Sequence, residues 1–185
     1  MEDNFLKTLD REKLNKNFEA VDENVQAFNS ICDQVVSSYS QDLDDLMANI
    51  YEDVVNVDDV DNDTLEKYFL RLTNHLYFMG HLMETLGVYD DLSELSAKET
   101  YNKSFIESQG IAPSDGKSKV TVAERQAIAE ETAKYGFTVN SIYNRAYKII
   151  KFKIESAQEM VKTLSKVISK RMADAQSDQS NKGVF

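Results

Sequence analysis

Apolar residues recur along this chain in steps of four and three for tens of residues at a time, the signature of long amphipathic helices. The first run places Leu14, Phe18, Val21, Val25, Phe28, Cys32, Val35 and Tyr39 in unbroken alternation. Two seam lines result, as in a heptad: Phe18, Val25, Cys32 and Tyr39 on one, Leu14, Val21, Phe28 and Val35 on the other. The next seam place falls on Asp42, and the pattern resumes one residue later on Leu43, Leu46, Ile50 and Val54. This predicts a first helix from about Asp10 to Val55, with a local change of supercoil at the slip. Its phenylalanines and tyrosine are bulky for a two-stranded seam, so bundle packing fits as well as a coiled coil.

An acidic stretch, Asn56 to Asp63, reads as a turn. Asp59, Asp61 and Asp63 faintly resemble a calcium loop, but Thr64 and Leu70 stand where glycine and glutamate are needed. The better reading makes Asp63 an N-cap, with Glu66 completing a capping box. A second helix then runs from Thr64 to Leu86 on Leu65, Phe69, Leu72, Leu76, Met79, Met83 and Leu86, and Gly87 loosens or ends it. A weaker third helix covers Asp91 to Ser108, with Leu95, Tyr101 and Phe105 as its apolar edge. The clearest break is Gly110 to Lys119, which holds Pro113 and Gly116. Thr121 and Glu124 form a capping box at the head of the last helix. That helix runs to about Ala175, with a weak point at Gly136.

The expected fold is therefore all-α: an elongated bundle with coiled-coil-like packing of three to four helices, two or more of them long. An acidic helical region (1–109) and a loop (110–120) precede a long basic amphipathic helix (121–175). A polar tail (176–185) is expected to lack fixed structure.

Composition narrows the picture. With one proline, six glycines and no tryptophan in 185 residues, the chain is too poor in turn residues for a β-sandwich or barrel. The lone Cys32 lies on an apolar seam and reads as a small core residue, suited to a reducing compartment. The acidic start, Met1 to Asn4, is followed by no long apolar run, so neither a signal peptide nor a membrane span is expected, and a cytoplasmic location follows. Charge divides unevenly. Residues 1–100 carry 23 acidic and 7 basic side chains, whereas residues 101–185 carry 9 and 14. Two halves with different surface tasks are implied.

No catalytic constellation stands out. There is no glycine-rich phosphate loop, and no nucleophile within a local motif. His75 and His81, the only histidines, are six apart and fall on different helix faces, unlike a zinc pair. Neither enzymatic activity nor a metal or cofactor is expected. The informative segment is Arg145 to Arg171. Arg145, Lys148, Lys151, Lys162, Lys166 and Lys170 fall within about one third of the helix circumference. Ile142, Ala146, Ile149, Ile150, Ala157, Met160, Val161, Leu164 and Val167 lie opposite. Phe152 projects near the basic stripe. A cationic track with an interleaved ring can neutralise phosphates and stack on an unpaired base. Glu155 and Glu159 share the stripe and dilute its field, so a merely solvated face, or docking onto the acidic half, is a rival reading. Lys153 sits on the apolar side, where it either snorkels to the edge or meets an acidic residue across a helix interface.

The layout of residues 75–172 resembles that of the UvsY-type recombination mediators of tailed phages. The resemblance rests on the helix with Tyr101 and Phe105, a glycine-containing loop with Lys117 and Lys119, and the capped start from Thr121 to Arg125. It also rests on the final helix from Tyr143 through Tyr147, Lys151, Ala157 and Leu164 to Arg171. It implies a small helical, ring-like homo-oligomer that binds single-stranded DNA and helps a RecA-like recombinase displace a single-strand-binding protein, without catalysis of its own. By position, Lys117, Lys119 and Arg125 match the basic loop-to-helix junction, and Arg145, Lys148 and Lys151 match the basic part of the long helix. The longer, more acidic N-terminal half departs from the simplest members. Together with Phe152, Lys162, Lys166 and Lys170, these cations make up the expected DNA track. Phe18, Val25, Val35, Ile149, Lys153, Met160 and Leu164 make up the expected oligomer interface.

Two other classes fit the same residues. A phage virion structural or assembly protein (scaffold, neck or connector) would use the heptads to bind a virion protein and would bind no DNA. An acidic inhibitor of a host nucleic-acid-binding enzyme would present residues 1–100 in imitation of phosphate charge.

Overall fold

The computed structural model of the chain describes residues 11–55, 59–110 and 120–182. Three long helices account for nearly all of them: α1 (Arg11–Val54), α2 (Asn62–Glu107) and α3 (Val122–Lys182). A 3₁₀ turn, Ser108–Gly110, closes α2, and no strand occurs among the described residues.

Helices α2 and α3 form an antiparallel hairpin. At one end, the Arg171 guanidinium donates to the Val60 carbonyl (2.6 Å) and to Asn62 Oδ1 (3.0 Å). At the other, Arg125 reaches the Phe105 carbonyl. Helix α1 lies parallel to α3 along one half of this hairpin, with Cys32 at Ile142 and Asp44 at Lys153. The Tyr68 hydroxyl donates to Asp53 and ties the last turn of α1 to α2. That bond to a carboxylate, with burial second, holds the phenol above its ordinary range.

Where three helices meet, the core follows sevens. Leu65, Leu72, Met79 and Leu86 line α2, and Ile150, Ala157 and Leu164 line α3, all essentially inaccessible. Burying each large aliphatic side chain contributes about 1.5–3 kcal/mol. On α1 the buried line is Cys32, Val36, Ser40, Leu43, Leu46 and Ile50. The one-residue slip expected near Asp42 is therefore absorbed over Cys32 to Leu43, an eleven-residue step that straightens the local path. Val35 and Tyr39, on the expected seam, are only half-buried.

Beyond Leu86 the hairpin continues without α1, and its seam changes character. Ala97 and Ser104 on α2, and Ser108 in the turn that closes it, face Ala129 and Ala133 on α3. The step from Leu86 to Ala97 to Ser108 is eleven residues each time, a period that favours a slight right-handed supercoil over the left-handed one of the sevens. Small side chains let the backbones approach closely. A Cβ at Gly136 would stand 3.1 Å from the Ala97 Cβ and 3.2 Å from its Cα. Polar side chains fix the start of this narrow segment. Asn140 and Asn144 both donate to Asp90, and Tyr89 stacks on Tyr143 with centroids 5.5 Å apart.

Several boundaries differ from the sequence reading. The expected second and third helices are one: α2 runs through Gly87 without a break, and a Cβ there would make only ordinary contact with the Tyr147 ring, at 3.5 Å. The N-cap is Asp61 and not Asp63, since Asp61 Oδ1 accepts from the Thr64 amide at 2.7 Å. That hydrogen bond, with a second from the Thr64 hydroxyl, holds the Asp61 carboxyl below its usual range. The box at Thr121 forms as expected, with the Thr121 amide donating to Glu124 (2.7 Å) and the Glu124 amide to Thr121 Oγ1 (3.2 Å). Gly136 does not interrupt α3, and the expected tail is helical as far as Lys182. Leu95 is exposed and not on one edge with the half-buried Tyr101 and Phe105, whose rings stack on each other.

Lys153 meets an acidic residue across a helix interface. Its ammonium donates to Asp44 Oδ2 (2.5 Å) and to the buried Ser40 hydroxyl (3.0 Å). Both charged groups keep some solvent access, so the pair lies between a surface pair, worth 0–1 kcal/mol, and a buried one. Asp44→Ala is expected to cost about 1–2 kcal/mol by leaving the ammonium half-buried without its carboxylate. Lys153→Met is expected to cost less, because it removes the charge as well. Urea titration of both variants checks the order.

Candidate nucleic-acid interface

Helix α3 carries the candidate track because its two faces are sorted. Ile142, Ala146, Ile150, Ala157 and Leu164 turn inward, and the cationic positions, roughly 100–200° away from that line at 100° per residue, are left outward. Arg145, Lys148, Lys151, Lys162, Lys166 and Lys170 are all exposed along one uninterrupted helix. From Arg145 to Lys170 the stripe measures about 38 Å at 1.5 Å per residue. Phe152 stands in it with 68% of its surface accessible, an outward position for a ring with no burial to offset its hydration.

Acidic side chains divide the stripe but do not cancel it. Glu155 and Glu159 separate an upper group (Arg145, Lys148, Lys151) from a lower one (Lys162, Lys166, Lys170). Lys162 is paired with Glu159 at 2.6 Å, and that bond, then the lysine's charge, holds the Glu159 carboxyl below its usual range. Among the described residues, no carboxylate lies within ion-pair distance of Arg145, Lys148, Lys151, Lys166 or Lys170. The acidic α1 packs along the inward face of α3 and comes beside the stripe only at its head, where Phe28 shares a cleft with Arg145 and Lys148. The one ion pair between described residues that joins the two helices is Asp44 with Lys153.

Other expected track residues fare differently. Arg125 is engaged within the chain. Its Nε and Nη2 donate to the Phe105 carbonyl (3.1 and 2.8 Å), and its guanidinium lies 4.1 Å over the Phe105 ring. It fastens the start of α3 to the end of α2, so its place in a DNA path is not supported. Lys117 and Lys119 lie outside the described residues, as does the Phe18 side chain.

The expected oligomer interface is largely claimed by the chain itself. Leu164 is fully buried in the core, Ile149, Met160 and Val35 pack against it half-buried, and Lys153 faces Asp44. Val25 is different. It and Val21 are about half exposed, at 47% and 58%. Every described side chain from 15 to 27 on α1 is exposed, so Val21 and Val25 of the expected seam are not covered by other described residues.

Two features went unread in the sequence. One is a second apolar stripe on α2, diametrically opposite its core line: Leu70, Tyr77, Val88, Leu92, Leu95 and Ile106, all more than half exposed. Its spacing averages 3.6 residues per turn and was legible, but the stronger four-three pattern of the core face masked it. The other is an open cleft between α1 and α3, with Phe28 on one wall and Asn144, Arg145 and Lys148 on the other. No sequence signal announces it, because it depends on the register of two helices more than a hundred residues apart. No group of three or more metal-ligating side chains occurs among the described residues, and no helix there is long and apolar enough to cross a membrane. Comparison with protein-family models, with curated proteins and with solved structures finds no match to this chain.

Proposed function

We propose that the chain binds single-stranded DNA along the outer face of α3 and acts as a recombination mediator of the UvsY kind, assisting a RecA-like recombinase against a single-strand-binding protein. The observation that carries the reading is the exposed row of cations on α3, five of them without a carboxylate partner among the described residues, with the accessible Phe152 ring among them. A row of that kind attracts a polyanion, and screening over about 8–10 Å confines the field of the distant acidic side chains. Phe152 supplies the preference for unpaired bases, since only a single strand offers a free π-face.

The reading includes self-association through the outer stripe of α2, with a second copy as the occupant. Leu70 to Ile106 spans about 54 Å. At a helix width of about 10–12 Å, two such stripes facing each other bury about 1,200 Å² in total, at the lower edge of specific interfaces.

Fluorescence anisotropy with a short labelled single strand tests the binding, and light scattering on the same samples gives the assembly mass. Five phosphate contacts give a log–log salt slope of about −3.5, so affinity is expected to fall roughly 100-fold between 50 and 200 mM salt. Duplex of equal length is expected to bind more weakly. Absence of single-strand binding at 50 mM salt overturns the reading.

A further inference from the structure

We infer that the cleft between α1 and α3 is a subsite for one nucleotide of the bound strand, with the base against Phe28 and the amide oxygens of Asn140 and Asn144, and the phosphate on Arg145 and Lys148. The inference rests on the single-strand reading and goes beyond it by assigning a base-binding site that the cationic row alone does not contain.

The cleft measures about 350 Å³ and is lined by Phe28, Asn140, Ser141, Asn144, Arg145 and Lys148. That volume lies at the small end of ligand pockets. Its lining combines the three chemistries a nucleotide needs. Phe28 is half-buried against the core, so its ring is held in place while part of it stays accessible. Arg145 and Lys148 are exposed at the rim, at the head of the cationic row.

The two asparagines supply the third element, and their orientation is fixed by what lies behind them. Asn140 Nδ2 donates to the Asp90 carbonyl (3.1 Å), Asp90 Oδ1 (3.0 Å) and Ser93 Oγ (3.3 Å). Asn144 Nδ2 donates to Asp90 Oδ2 (2.9 Å). Only the amino end of an amide can face those carbonyl and carboxylate acceptors, so each Oδ1 is turned away from Asp90. No hydrogen bond reaches either Oδ1 among the described residues. Two positioned acceptors beside a ring and two cations suit a base with an exocyclic amine, as in adenine, cytosine or guanine. Support from behind by Asp90 keeps them set before the ligand arrives.

The test compares two 15-mers at 50 mM salt, one of deoxyadenosines and one of the same length and charge with abasic sites. The wild-type chain is expected to bind the base-bearing strand about 5- to 10-fold more tightly. Because Phe152 also stacks on bases, the subsite is read in a Phe152→Leu background, where the base-bearing strand is expected to keep a severalfold preference. Adding Phe28→Leu, which keeps the packing and removes the ring, is expected to bring both strands to the abasic affinity at unchanged helicity. Equal affinity of the Phe152→Leu protein for the two strands, or discrimination that survives in the double variant, overturns the subsite while the cationic row stands. If neither strand binds, the single-strand reading itself fails and the subsite with it.

Discussion

Replacing Lys148 and Lys151 together by glutamate is expected to weaken single-strand binding at least about 100-fold at 100 mM salt, while the circular dichroism spectrum stays unchanged. The six stripe cations and two stripe glutamates sum to a local charge of +4, and the double reversal brings it to zero. Each lost phosphate contact removes one counterion-release term, and each new carboxylate repels the strand at the same place. The fold is untouched because both side chains are exposed and lysine and glutamate are similar helix formers. The mirror experiment carries the opposite sign: Glu155→Lys with Glu159→Lys joins the upper and lower groups and is expected to tighten binding and steepen its salt dependence. A double reversal that leaves affinity within twofold of wild type would mean that α3 is not the DNA face.

The second large effect concerns stability. Gly136→Leu is expected to lower the melting temperature by about 4–8 °C, equivalent to about 2 kcal/mol in a chain of this size. Even a Cβ at this position meets the Ala97 backbone at 3.2 Å, so a longer side chain must separate two helices packed through alanines and serines. Overpacking of this kind costs about 1–3 kcal/mol, and the helix-propensity gain on leaving glycine returns less than about 1 kcal/mol. Gly136→Ala brings nearly the same gain with a smaller intrusion, so its net effect is expected near zero. Thermal melts of the two variants side by side measure the difference. A Gly136→Leu protein as stable as the wild type would mean that α2 and α3 do not approach closely at Ala97.

Helix content and the inward face of α3 were legible because they depend on local periodicity. Ile142, Ala146, Ile150, Ala157 and Leu164 repeat at helical spacing, and the structure buries all five. The outward lysines follow from the same arithmetic. What the sequence hid depends on which surfaces meet. Gly87 and Gly136 read as breakers because glycine is costly in an isolated helix, yet both helices run on through them, and at Gly136 the Ala97 backbone comes close. The Val21 and Val25 seam looked like core, but burial requires a partner, and no described residue covers it. Arg125 looked like a free cation at a basic junction until the Phe105 carbonyl and ring came beside it across the hairpin. The Phe28 cleft was beyond reach for the same reason, since it joins residues that only tertiary packing makes neighbours.

The exposed first turns of α1 have a thermodynamic consequence. Helix formation has a costly nucleus and a nearly neutral propagation step. A free peptide the length of residues 15–27 would be only marginally helical in water. Here the docked turns from Phe28 onward supply the nucleus, and the outer turns extend it one residue at a time. Their order is borrowed from the core without contributing to it, so amide exchange there is expected to quicken steadily toward the N-terminus while the hairpin stays protected.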